Sequence, residues 1–137
     1  MELKDLVGEH LLDAVDFSNE QIPRGSYFEA CQVMRFRLDG VVYTVIENPG
    51  DGYRSSMEEI LVSEGVEMRN VFEPLRVVGS HSSRPKKPRY LYDDILELVD
   101  AETGLTVVEV GTEDVASYYP VFVAAFHPEA MCYNVGR

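Results

Sequence analysis

The sequence predicts a mainly β protein, either an antiparallel sandwich or a partly open barrel, with one or two short helices. Apolar and polar residues alternate along residues 33–38 and resume in 41–47, and the two runs meet at Asp39-Gly40. An Asp-Gly pair between alternating runs is a strong hairpin signal. Several other apolar runs are rich in Val, Ile, Tyr and Phe, which are typical of half-buried strands.

A second hairpin is predicted where residues 94–100 and 105–111 flank the segment Ala-Glu-Thr-Gly. Gly104 can adopt the positive φ that closes such a turn. Helical segments are predicted to be few and short. The further predicted strands are 10–17, 72–80 and 119–127, and the predicted helical segments are 1–7, 56–64 and a turn after Pro128.

The chain has 137 residues and a formal net charge of −12, which indicates one acidic domain with enough length to bury its own core. The charge is unevenly distributed. Residues 84–89 contain four of the twelve Lys and Arg residues, whereas residues 90–134 contain none. Because Pro85 and Pro88 oppose helix formation, we expect an exposed basic loop at 79–90.

The composition also restricts the class and location of the protein. A strongly acidic domain repels phosphate backbones, so direct nucleic-acid binding is disfavoured. The first residues lack the basic flank and apolar run of a secretory signal, and the apolar run 121–126 is too short to span a bilayer. Cys31 and Cys132 have no metal-ligand spacing, so we expect reduced thiols in a cytoplasmic protein.

The segment 47–59, with sequence ENPGDGYRSSMEE, has two interpretations. In the first it is structural: Asn-Pro-Gly and Asp-Gly form turns that end a strand. Ser55-x-x-Glu58 and Ser56-x-x-Glu59 would then be capping boxes at the start of a helix.

In the second interpretation the same segment binds a small phosphorylated or nucleotide-like ligand. A helix start offers free amides and a positive dipole end, which suits an anion. Serine hydroxyls add donors, and an arginine can bind a phosphate with two parallel bonds. The predicted ligand-binding residues are Asp51, Tyr53, Arg54, Ser55 and Ser56.

A partner-binding surface is predicted from the uneven charge. The lysine-free acidic hairpin could complement a basic protein surface, and the basic segment could contact an acidic partner or the carboxylates of its own chain. Along a strand Glu97 faces away from Asp94 and Asp100, so an acidic array must combine neighbouring strands. The predicted partner-binding residues are Asp94, Glu97, Asp100, Glu109, Lys86 and Lys87.

Catalytic signatures give little support to an enzyme. The sequence contains no nucleophile elbow, P-loop or dinucleotide-binding glycine motif. The histidines, at positions 10, 81 and 127, are too far apart for a local zinc motif. We therefore predict no cofactor and no metal, and a metal-assisted hydrolase built from distant residues is the third alternative after the two binding functions.

Two segments, 36–60 (FRLDGVVYTVIENPGDGYRSSMEEI) and 92–114 (YDDILELVDAETGLTVVEVGTED), resemble small proteins encoded by bacteriophages and prophages. Such phage accessory proteins are often non-enzymatic inhibitors of host or defence machinery. The resemblance therefore implies a binding protein that acts on a host factor in the host cytoplasm, and it implies no particular functional residues.

Overall fold

The computed structural model describes residues 1–49, 55–87, 91–114 and 120–130, with the backbone alone at 83–87, 91–92 and 114. Antiparallel strands dominate it, which confirms the predicted mainly β fold. The strands are β1 (Gly8–Arg24), β2 (Tyr27–Leu38), β3 (Val41–Asn48), β4 (Ser56–Val62), β5 (Leu75–Lys87), β6 (Leu91–Asp100), β7 (Thr106–Asp114) and β8 (Pro120–Phe126).

All eight strands belong to one sheet with the order β4-β3-β2-β1-β5-β6-β7-β8. It consists of two four-stranded meanders, which are joined where β1 pairs with β5 from Gly8↔Gly79 onward. The outermost strands approach each other, because the Ser55 amide donates to the Pro120 carbonyl at 3.2 Å. The sheet is therefore curled, and the partly open barrel describes it better than a two-sheet sandwich.

Both predicted hairpin turns are present. Asp39 and Gly40 have φ values of 54° and 82°, the left-handed conformation that a two-residue hairpin turn requires. Leu38 and Val41 face each other on either side of this turn. Gly104, with φ of 75°, lies in the turn between β6 and β7.

The predicted helix at 56–64 is wrong, because this segment forms β4. The capping boxes that were assigned to Ser55 and Ser56 are therefore absent. Ile60 pairs with Val45 of β3 and is 1 % exposed. Burial of Ile60 and the ladder with β3 outweigh a capping signal worth about 1 kcal/mol.

The predicted loop at 79–90 is wrong over most of its length, since β5 continues to Lys87. Its last three residues lie outside the described part of the chain. Pro85 is opposite Tyr92, and the register shifts directly after it. Beyond Gly79, β5 has no described strand on its other side, and such a free edge or bulge is where a sheet tolerates proline.

The helical segments are as short as the sequence indicates. At the N-terminus one 3-10 turn covers Leu3–Leu6. Residues 128–130 are helical, and the Ala130 amide donates to the His127 carbonyl at 3.1 Å. No helix among the described residues is long and apolar enough to cross a membrane.

The core lies on one face of the curled sheet, under the N-terminal 3-10 turn. Leu3 and Leu6 of this turn are 0 % and 2 % exposed. His10 ties the turn to the first hairpin, because its Nε2 lies 2.9 Å from the Leu6 carbonyl oxygen and its Nδ1 lies 2.7 Å from Asp39 Oδ2. Strand residues of the core include Leu12, Phe36, Leu38, Val45, Ile60, Val77, Leu96, Leu98, Val108, Val110 and Phe122.

We expect Gly79→Ala to destabilise the protein. A Cβ at this position would lie 2.1 Å from the Leu6 carbonyl oxygen, so the 3-10 turn or β5 must move. The free energy of unfolding measured in urea should fall by about 1–3 kcal/mol. Ser80→Ala, at the exposed neighbouring position, is the control and should change it little. Equal stabilities of Gly79→Ala and the wild type would contradict this packing.

Candidate functional site

The described residues of the predicted ligand-binding set, Ser55 and Ser56, contact or belong to strands of the sheet. The Ser55 hydroxyl donates to Glu47 Oε2 at 2.8 Å, and Ser56 begins β4 opposite Asn48. Since no helix starts here, the anion site cannot use a helix N-terminus. Asp51, Tyr53 and Arg54 lie outside the described residues, so ligand binding by them stays a prediction.

The predicted partner-binding carboxylate Asp100 is not on the surface. It is 1 % exposed, and its Oδ1 accepts the Glu102 amide at 2.8 Å and the Thr103 amide at 3.5 Å. Asp100 therefore stabilises the β6–β7 turn, and its assignment as a partner-binding residue is wrong. A carboxylate placed at the start of a turn commonly accepts amides in this way.

Asp94 is also separated from the outer carboxylates. Its Oδ1 lies 2.6 Å from His81 Nε2, and it shares a face of β6 with the core residues Leu96 and Leu98. This His–Asp pair was not predicted from the sequence, because the pairing of β5 with β6 brings its two residues together. Lys86 and Lys87, at the end of β5, are described by their backbone alone.

Glu97, Glu109 and Glu113 lie together on the other face of β6 and β7, and we refer to them as the glutamate face. Glu97 and Glu109 are direct cross-strand partners, which places their Cβ atoms about 5 Å apart. Glu113 is four residues after Glu109 and therefore points to the same side. Three carboxylates are thus gathered on two neighbouring strands.

The carboxylates of the glutamate face repel one another. Burial raises the pKa of Glu109 above its ordinary value, and the charges of Glu97 and Glu113 raise it further, while His127 acts in the opposite direction. The Thr106 hydroxyl donates to Glu97 at 3.3 Å. Among the described residues, no Lys or Arg forms an ion pair with these three glutamates.

In contrast, arginines of the first meander are paired within the chain. Arg24 binds Glu58 through two bonds, Nη1–Oε1 at 2.5 Å and Nη2–Oε2 at 2.7 Å. Such bidentate pairs combine charge with fixed geometry. The ion pairs include Arg24–Glu58, Arg24–Glu29, Arg35–Glu20 and Arg37–Asp13.

Glu97 and Glu109 were predicted from the sequence to belong to the candidate surface, whereas Glu113 was not. The alternation of side chains along β7 could have identified Glu113, because residues 109 and 113 are an even number of positions apart and therefore point to the same face. His127 was treated alone, and its proximity to Glu109 depends on the pairing of β7 with β8. Within the described residues, no three His, Cys, Asp or Glu side chains form a group that could hold a metal ion.

Comparisons with protein-family models, with curated proteins and with solved structures give no match to this chain. The candidate site therefore depends on the geometry and charges of the residues themselves.

We expect Glu109→Gln to stabilise the protein at pH 7. Because the folded-state pKa of Glu109 is raised above 4.5, its contribution to stability is full below that pH and is lost as pH rises through the folded pKa. The ionised form thus lowers stability at neutral pH. Urea unfolding should show a gain of about 0.5 kcal/mol at pH 7 that disappears near pH 4.

Glu64→Gln, at an exposed turn position, is the matched control for this change. It should leave the free energy of unfolding nearly unchanged at either pH. A loss of stability in Glu109→Gln at pH 7 would show that the glutamate face is not a site of repulsion.

Replacing Arg35 by Met should raise the pKa of Glu20 from about 2 toward 4.5, because the bond from Arg35 is the main cause of the depression. Glu20 then contributes less stability above pH 4.5, the contribution that the wild type loses as pH falls toward 2. Carboxyl ¹³C NMR titration measures the pKa directly. Arg76→Met, at an exposed pair with Glu9, should leave the Glu20 titration unchanged.

Proposed function

We propose that this protein is a non-enzymatic binding protein whose glutamate face contacts a basic surface on a partner protein. The observation that supports this proposal is the direct opposition of Glu97 and Glu109, with Glu113 beside them. Like charges directly opposite each other in a sheet are destabilising. A protein that keeps such an arrangement gains stability when a cation is brought to it.

A partner lysine or arginine would remove the repulsion that raises the pKa of Glu109. Glu109 is also partly desolvated, so a cation placed there interacts more strongly than it would with a fully exposed carboxylate. The cation would bind the ionised form of Glu109. Binding should therefore weaken when the carboxylates are protonated at acidic pH.

The net charge of −12 supports the same class of partner. It attracts a basic surface over a distance and increases the rate of association, and it repels nucleic acids. Residues 90–134 contain no Lys or Arg that could neutralise the glutamate face from within the same segment. The other half of the sheet, in contrast, pairs Arg24, Arg35 and Arg37 internally.

The resemblance to phage and prophage proteins adds an expectation about the identity of the partner. A basic surface that a host or defence factor uses for nucleic acid would be complementary to three carboxylates on a rigid sheet. Occupation of that surface would inhibit the factor in the host cytoplasm. Inhibition by this route requires binding alone and no catalytic step.

A nona-arginine peptide is a suitable probe of the glutamate face, because it presents the guanidinium groups of a basic protein surface. We expect binding measured by isothermal titration calorimetry at low salt, with an affinity that falls steeply between about 50 mM and about 500 mM NaCl. The triple variant Glu97→Gln, Glu109→Gln, Glu113→Gln should bind at least tenfold more weakly at low salt.

The matched control removes the same charge elsewhere, with Glu2→Gln, Glu9→Gln and Glu64→Gln at exposed positions. It should lose little affinity if the glutamate face is the binding surface. Equal losses in the two triple variants would mean that net charge alone attracts the peptide, and the proposal would then be wrong.

A further inference from the structure

A two-stranded arm projects from the first meander. β1 pairs with β5 only as far as Leu12, and β2 pairs with β3 only from Val33 onward. Between these limits β1 and β2 pair with each other up to Arg24↔Tyr27. We call residues 17–32 the arm, and no other strand of the described chain pairs with it.

One face of the arm is held by ion pairs to the rest of the sheet. Arg24, near its tip, binds Glu58 of β4, and Glu20, at its middle, binds Arg35. Cys31 on the same face is 1 % exposed. These contacts fix the orientation of the arm. Its opposite face is exposed to solvent.

That opposite face carries no charged residue. Along each strand, the residues of this face alternate with those of the ion-paired face. Across the two strands they lie opposite each other, as in Pro23↔Phe28 and Asn19↔Gln32. Phe28 is 67 % exposed and Phe17 is 44 % exposed. The neutral face consists of Phe17, Asn19, Gln21, Pro23, Phe28, Ala30 and Gln32, all of them exposed.

We propose that the neutral face is a self-association surface whose occupant is the same face of a second copy of this chain. A second copy carries the same charge of −12, so the two molecules repel each other wherever their carboxylates are presented. The neutral face is free of such carboxylates. Its exposed phenylalanines and its lack of charged residues are typical of an interface core.

A two-fold axis fixes how the two arms meet. In a two-fold dimer the same patch is used by both copies, and antiparallel arms place the tip of one on the base of the other. Phe28 at the tip of each copy then packs on Phe17 at the base of the other copy. The six residue-to-residue steps from Phe17 to Pro23 span about 20 Å at about 3.3 Å per step, which is long enough for both contacts to form.

The contact area also determines the affinity that we expect for the dimer. A ribbon of two strands buries less than the roughly 800 Å² per partner of a standard stable interface. The dimer is therefore weak and forms in a concentration-dependent way. Its affinity increases with salt, because screening reduces the repulsion between the two acidic molecules. Binding at the glutamate face has the opposite salt dependence, so the two surfaces are distinguishable.

Sedimentation equilibrium of the full chain tests the proposal. The wild type should change from a mass of 15.5 kDa toward twice that value as its concentration rises into the high micromolar range. Phe28→Glu should raise the dissociation constant at least tenfold. Leu105→Glu adds the same charge at an exposed position outside the arm, and it should self-associate like the wild type, apart from a small effect of net charge.

A mixing experiment tests the contact between tip and base. Phe28→Glu and Phe17→Lys should each be monomeric alone, whereas their equimolar mixture should form a heterodimer. In that heterodimer one Phe28–Phe17 contact is kept and the other becomes a Glu–Lys pair. Far-UV circular dichroism and thermal unfolding establish that each variant is folded, and Phe28→Asp, which keeps the negative charge, replaces Phe28→Glu if the latter is not.

Three results would overturn the proposal. A wild type that stays monomeric at the highest concentration and salt excludes a second copy as the occupant. Unchanged association of Phe28→Glu excludes the neutral face. Failure of the mixture to associate excludes the contact between Phe28 and Phe17.

Discussion

The antiparallel pairing of β1 with β5 joins the two halves of the sheet, and the rest of the structure depends on it. Among the described residues, five register pairs, from Gly8↔Gly79 to Leu12↔Leu75, join the first meander to the second along β1 and β5. The N-terminal 3-10 turn lies against the same region and buries Leu3 and Leu6. Gly79 allows this close approach because it has no side chain to meet the Leu6 carbonyl.

This short joint separates two halves with different electrostatics. In the first half, arginines and carboxylates from different strands neutralise each other. Two of these ion pairs, Arg24–Glu58 and Arg35–Glu20, support the arm. In the second half, Glu97 and Glu109 face each other without a described cation. The first half can therefore present a neutral face, while the second presents a charged one. The two proposed contacts, binding of a basic partner and self-association, would respond to salt in opposite ways because of this division.

Much of the fold was predictable from the residues that form its turns. Prediction from local sequence fails where pairing with a distant strand decides the structure of a segment. Asp39-Gly40 and Gly104 close hairpins because their backbone conformations suit few other residues. The signal at Ser55-x-x-Glu58 was equally local, yet the segment pairs with β3 and becomes a strand. The arm was missed for the same reason, because residues 18–21 (Ser-Asn-Glu-Gln) have weak strand propensity and become a strand only by pairing with β2.

The sequence by itself determined the mainly β class, the two hairpin turns and the concentration of acidic residues in the second half of the chain. Only the tertiary structure decided which carboxylates meet: Asp100 is buried in a turn, Asp94 pairs with His81, and Glu113 joins the glutamate face. Turn types depend on the φ values that one or two residues can adopt. Which side chains meet depends on strand register and on burial, which are set by pairing between segments far apart in the chain.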